Sequence, residues 1–241
     1  MGFPMPRWSL LVLLAVAVVI DGKIVPTPPR LDEETIRGLA TSQATAAKAA
    51  PVCVDPTFRY CQRRLFQFID LDDSVTWQNS SVILDKINYY ADMNVTELLY
   101  LCDGLARFHG CLGSTYDHCV SLYNLVPKNG ATVMNAYTFV YSMAYTEYMC
   151  NSGFEEVVNQ YDCLQNIETY PEYHACMRNF QTTIIGHPDA ICPAVVTNEQ
   201  CLSKVFSDHC PADPKGAGWF GCESFRSSWT SSCGQKTKCF V

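Results

Sequence analysis

The chain has 241 residues, 48% hydrophobic and 17% charged, with a formal net charge of −7 at pH 7. That apolar content suffices for a buried core and excludes a chain disordered throughout. The acidic balance argues against nucleic acid or an acidic membrane surface as the main partner, since both repel it.

The first element in chain order is a secretory signal over residues 1–22. Arg7 supplies its positive charge, and Trp8 to Ile20 is an uncharged run of thirteen residues, short of the ~20 that a membrane span needs. Gly22 marks the expected cleavage point, and no membrane anchor is expected after it. Residues 23–52 lack aromatic residues and hold Pro26, Pro28 and Pro29. They read as a linker or pro-segment, with at most a frayed helix from Leu31 that has little apolar face to dock.

From Cys53 the pattern turns helical. Asp55-Pro56 can start a helix, and Phe58, Cys61, Leu65 and Phe68 recur at spacings of three and four. A second helix covers Val82 to Met93. Asn94-Val95-Thr96-Glu97 has the form of a capping box, opening a helix that His109-Gly110 ends. Ala131 to Cys150 gives the strongest helix, with a narrow polar stripe of Asn135, Thr138, Ser142 and Thr146, and Asn151-Ser152-Gly153 closes it. Phe154 to Ile167 and Glu172 to Ile185 are two more, parted by Tyr170-Pro171. Thr197 to Cys210 is the last. After Pro211, Pro214, Gly216, Gly218 and Gly221 break the pattern. No period-two alternation appears, so strands are not expected. The expected fold is all-α: a disulfide-rich helical bundle over 53–210, with an irregular cysteine-rich part over 211–241.

There are fourteen cysteines: Cys53, Cys61, Cys102, Cys111, Cys119, Cys150, Cys163, Cys176, Cys192, Cys201, Cys210, Cys222, Cys233 and Cys239. An even number behind a signal segment points to seven disulfides, although spacing cannot choose their connectivity. Zinc sites bring ligands close together, as in C-x2-C. The nearest pair here, Cys233 and Cys239, has five residues between its members, so neither metal nor cofactor is expected. Cys102, Cys111 and Cys119 form a triplet spaced much like Cys192, Cys201 and Cys210, as a repeated unit would be.

Asn79-Ser80-Ser81 and Asn94-Val95-Thr96 are N-glycosylation sequons. Ser152-Gly153 is followed by two acidic residues, as glycosaminoglycan attachment favours, but a helix stop explains it fully. Tyr137, Tyr141, Tyr145 and Tyr148 share one helical face. They are expected to pack in the core with hydroxyls reaching the surface. Arg59, Arg63 and Arg64 read as a solvated face. Asp117-His118 reverses the order expected of a secreted phospholipase, and no catalytic signature appears elsewhere. A pocket joining His118 to a carboxylate would mark an enzyme; an exposed groove would mark a binding protein.

Leu101-Cys102-Asp103, Cys111, Tyr116-Asp117-His118-Cys119, Cys150, Cys163 and Tyr173-His174-Ala175-Cys176 together resemble the small secreted helical domain of nematode chondroitin proteoglycan 4-like proteins. The resemblance spans about half the chain. It implies a secreted, non-enzymatic protein of extracellular matrix or eggshell, with an extracellular protein or glycan as partner. A run of Ser-Gly sites in a flexible segment, which chondroitin attachment would use, is absent. The alternative is a receptor-like or ligand-binding module of cysteine-linked helices.

Overall fold

The computed structural model describes residues 22–46, 52–128, 132–234 and Cys239. The expected signal segment lies outside the described residues except for Gly22. Among the described residues every regular element is helical.

The segment expected to be a linker is part of the core. Its helix α1 (Glu33–Ala46) is opened by the Asp32 carboxylate, which accepts from the Thr35 hydroxyl at 2.7 Å and the Thr35 N–H at 2.8 Å. Both bonds stabilise the charged form and hold this carboxyl below its ordinary range. Ile36, Leu39 and Ala40 bury one face together with Ile24, Val25 and Leu31. The narrow apolar face is supplemented by a polar anchor. Buried Gln43 donates to the Ser231 and Ser232 hydroxyls and accepts from the Leu122 N–H at 3.1 Å.

Helices α2 (Asp55–Phe68), α3 (Ser80–Met93) and α4 (Val95–Leu112) follow. Pro56 sits in the first turn of α2, as expected. The Asn94 side chain caps α4, accepting from the Glu97 N–H at 3.0 Å. His109-Gly110 does not end α4. The helix tolerates Gly110 and stops at Gly113, whose φ of 53° a side chain would resist. Short helices α5 (Tyr116–Cys119) and α6 (Leu122–Leu125) lead to α7 (Val133–Cys150).

Helix α7 is the hub, packing against α1, α3, α4 and α6. Its polar stripe does not face water throughout. Ser142 and Thr146 are buried, and each hydroxyl donates to the carbonyl four residues earlier at 2.7 Å, which satisfies it without a partner helix. The four tyrosines are core residues, as expected, but their hydroxyls do not reach the surface. Those of Tyr137 and Tyr148 end inside without a hydrogen bond, and burial pushes both phenols above their ordinary range.

Short α8 (Phe154–Asn159) and α9 (Tyr161–Asn166) replace the single helix expected there. Then come α10 (Pro171–Ile184), α11 (Ile191–His209) and α12 (Pro214–Cys233). Helix α11 starts at Ile191, six residues before the expected start at Thr197, with Cys192 in its first turn. Helix α12 corrects the expected irregular C-terminal part. Pro214 sits where a helix tolerates it, the Asp213 carboxylate accepts from the Gly216 N–H at 3.1 Å, and the glycines form a seam rather than breaks. A Cβ at Gly221 would lie 2.5 Å from the Phe206 ring and 3.1 Å from the Leu202 carbonyl. Small residues thus let α12 lie close along α11, the most extensive helix pair in the fold. Gly221→Val should therefore lower stability by about 2 kcal/mol in urea unfolding, despite valine's better helix propensity. A stabilised variant would show that the seam is not close-packed.

All fourteen cysteines are bridged. Cys53 pairs with Cys119, Cys61 with Cys111 and Cys102 with Cys150. Cys163 pairs with Cys210, Cys176 with Cys201 and Cys192 with Cys233, while Cys222–Cys239 closes the C-terminus. The first three bridges lie within residues 53–150 and the other four within 163–239; none joins the two units. With the Cys222–Cys239 clasp set aside, the six remaining cysteines of each unit pair in one order: first with fifth, second with fourth, third with sixth. The helices agree. Pro56 and Pro171 each stand five residues before the second cysteine of their unit, Phe58 and Tyr173 three before it, and Leu65 and Phe180 four after it. Both α7 and α12 end on the cysteine that partners the third of its unit, Cys150 and Cys233.

Candidate functional site

Helical periodicity brings three faces together. Cys102, Leu105 and His109 share a side of α4; Ala144, Glu147, Tyr148 and Asn151 follow one side of α7 and its end; Glu223, Arg226 and Ser227 do so on α12. Between them runs a groove of about 560 Å3, with the Cys102–Cys150 bridge in its wall.

Glu147 is the central charge of the groove. Burial raises its carboxyl pKa, and the imidazole of His109, 3.8 Å away, opposes that rise. The His109 ring lies 4.4 Å from the buried Tyr116 ring. Burial, then the Glu147 charge, pushes the Tyr116 phenol well above its ordinary range. On the far bank the Arg226 Nε donates to the Glu223 carboxylate at 2.7 Å. The groove therefore offers both signs of charge to a polar ligand. Among the described residues no hydroxyl or thiol bonds to His109. Ser227 donates to the Ser224 carbonyl at 2.8 Å, and every cysteine is in a bridge.

The residues singled out in the sequence are scattered around this groove. Ser152 is exposed at its mouth, in the helix stop. His118 is elsewhere, its ring 4.7 Å from Tyr123, and no described carboxylate lies within ion-pair distance of it. His209 stacks on Tyr170 at 3.7 Å. The carboxylate of Glu199 lies beside Cys222 and Cys239, but those two sulfurs are bonded to each other. Asn79 and Asn94 are both exposed. Each uses its side-chain oxygen on a backbone N–H, from Thr76 and Glu97 respectively, at 3.0 Å. Neither amide nitrogen makes a described hydrogen bond.

The pairing of His109 with Glu147 was not visible in the sequence. The two lie 38 positions apart on different helices, and neither has a local motif. No described helix is long and apolar enough to cross a membrane. No family model, curated protein or solved structure matches the chain.

Proposed function

We propose that the protein is secreted and non-catalytic, an extracellular matrix or eggshell component of the chondroitin proteoglycan 4-like kind that binds an extracellular partner. The observation carrying this reading is the cross-linked scaffold: seven disulfides with no cysteine left over. Such a set forms and persists in an oxidising compartment. Two exposed sequons with uncommitted amide nitrogens fit the same compartment. His109 and Glu147 lack a bonded nucleophile, which favours binding over catalysis. Open grooves between bridged helices favour a ligand-binding role within that reading.

Expression in a eukaryotic secretory host tests it. The protein should accumulate in the medium with the seven pairings above, and enzymatic removal of N-glycans should lower its mass by up to two chains, lost stepwise in Asn79→Gln and Asn94→Gln. Recovery in the cell with free thiols or an uncleaved membrane segment would overturn the proposal.

A further inference from the structure

The two cysteine units hold equivalent grooves with different chemistry. In the first unit a groove of about 370 Å3 runs between α2 and α4 beside the Cys61–Cys111 bridge. Leu65, Gly104 and Phe108 line its apolar part, with Arg64, Phe68 and Arg107 around it. Gly104 permits this approach, since a Cβ there would lie 2.6 Å from the Phe68 ring. In the second unit a groove of about 410 Å3 runs between α10 and α11 beside Cys176–Cys201.

Counting from the bridged cysteines shows what differs. Three residues after Cys61 stands Arg64; three after Cys176 stands Asn179. Seven after them stand Phe68 and Thr183. Four before Cys111 stands Arg107; four before Cys201 stands Thr197. All of these line their grooves. The first groove thus has two guanidiniums and an aromatic ring where the second has an amide and two hydroxyls. Asp189 adds a carboxylate to the second groove.

The arginines belong to a longer strip. The Arg64 guanidinium lies 5.9 Å from the Tyr60 ring centre, and Tyr60 is 57% exposed. Across the groove Arg107 lies 5.4 Å from Phe68, steered by Asp103 at 2.9 Å. Phe68 stacks on Tyr100 at 4.4 Å, Tyr100 neighbours Tyr90 at 5.6 Å, and Lys86 lies 5.2 Å from Tyr90. Among the described residues no carboxylate pairs with Arg59, Arg63 or Arg64. Guanidinium forks suit sulfate and carboxylate groups, while exposed tyrosines offer flat apolar area with a polar tip. Asp70, Asp73 and Asp103 near the strip disfavour a densely charged phosphate backbone.

We propose that the α2–α4 groove binds an acidic glycan bearing sulfate or uronate groups. Arg64 and Arg107 hold its anionic groups, and Tyr60 and Tyr100 stack on its sugar faces; the α10–α11 groove, which has no guanidinium and carries the Asp189 carboxylate, lacks this activity. The proposal rests on the protein being an extracellular binding protein and names its ligand class.

The test is calorimetric titration of the full secreted chain with oligosaccharides of chondroitin sulfate, hyaluronan and chitin, and with single-stranded DNA. Saturable binding to chondroitin sulfate alone identifies sulfate as the required group, and binding to hyaluronan as well identifies the uronate. Arg64→Asn with Arg107→Thr, which copies the second groove, should weaken binding at least about tenfold. Tyr60→Ser should weaken it by a smaller factor, and Arg178→Ala, on the exposed face of α10, should leave it unchanged. Asn179→Arg with Thr197→Arg should add a second equivalent. Circular dichroism confirms that each variant is folded. Absence of binding to both acidic glycans at physiological salt would overturn the proposal. So would binding untouched by the Arg64/Arg107 exchange, or chitin or DNA bound as tightly as the acidic glycans. None of these variants touches a cysteine or a sequon, so failure here leaves the export and disulfide test standing, and failure there leaves this binding measurement interpretable.

Discussion

Replacing Cys102 and Cys150 together by serine should lower the free energy of unfolding by about 4 kcal/mol. The bridge ties the middle of α4 to the last residue of α7 across a sequence separation of 48. Loop closure over that length removes much of the unfolded chain's freedom. Cys192–Cys233 has the same place in the second unit and a separation of 41, so its removal should cost about as much. Cys222–Cys239 spans only 17 positions and has no counterpart in the first unit; losing it should cost about 3 kcal/mol. Equilibrium unfolding in guanidinium of the three double-serine variants gives the order. A larger loss from the Cys222/Cys239 variant than from either of the others would contradict loop closure as the source of the stability.

The second large effect is a pH dependence centred on Glu168. This residue lies beneath the segment after Gly22, among Lys23, Ile24, Tyr145 and Tyr173. Burial pushes its carboxyl from an ordinary 4.5 up to about 7, although hydrogen bonds from the Tyr173 hydroxyl and the Thr27 N–H, and the charge of Lys23, favour the ionised form. The folded chain therefore holds a proton that the unfolded chain releases, and stability falls as pH rises from 4.5 to about 7. Above that window the buried charge costs about 3 kcal/mol; below it both states are protonated and the cost vanishes. Glu168→Gln keeps an acceptor for Tyr173 and Thr27 without the charge. It should be about 2–3 kcal/mol more stable than the parent at about pH 8, with the gain shrinking below about 1 kcal/mol near pH 5. Equal stability of the two proteins in urea at both pH values would show that Glu168 is not buried as described.

Local signals in the sequence carried well into the structure wherever the physics was local. The Asn94 cap, Pro56 in a first turn and the stop after Cys150 each depend on residues within one turn. The errors came where tertiary packing overrode propensity. In the sequence Gly218 and Gly221 look like helix breaks, yet they are the thin face that lets α12 approach α11. The segment before Cys53 has too few apolar residues to predict docking, and Gln43 completes the attachment through partners far along the chain. The even number of cysteines was legible, but a pairing between residues 48 positions apart leaves no local trace. The similar spacing of the two triplets was visible in sequence. That their pairing order is also the same could be read only once the helices were placed. In the sequence Arg59, Arg63 and Arg64 look like a solvated face, because Arg107 and Phe68, which share a groove with Arg64, belong to another helix and another turn.

The shared cross-link order has a consequence for descent. A chain whose six-cysteine pattern recurs with the same pairing is most simply derived from an ancestor of one unit, copied in tandem and then allowed to diverge. The copies retain what holds a bundle together: the leading proline, the buried aromatic, the bridges and the terminal helix. They differ at Arg64 and Asn179, at Arg107 and Thr197, and in the added Cys222–Cys239 clasp. They also differ between the second and third cysteines, where the first unit carries α3 and the second has no such helix. The relatives to expect are single-unit proteins of six cysteines paired first with fifth, second with fourth and third with sixth, each with its own groove-lining side chains.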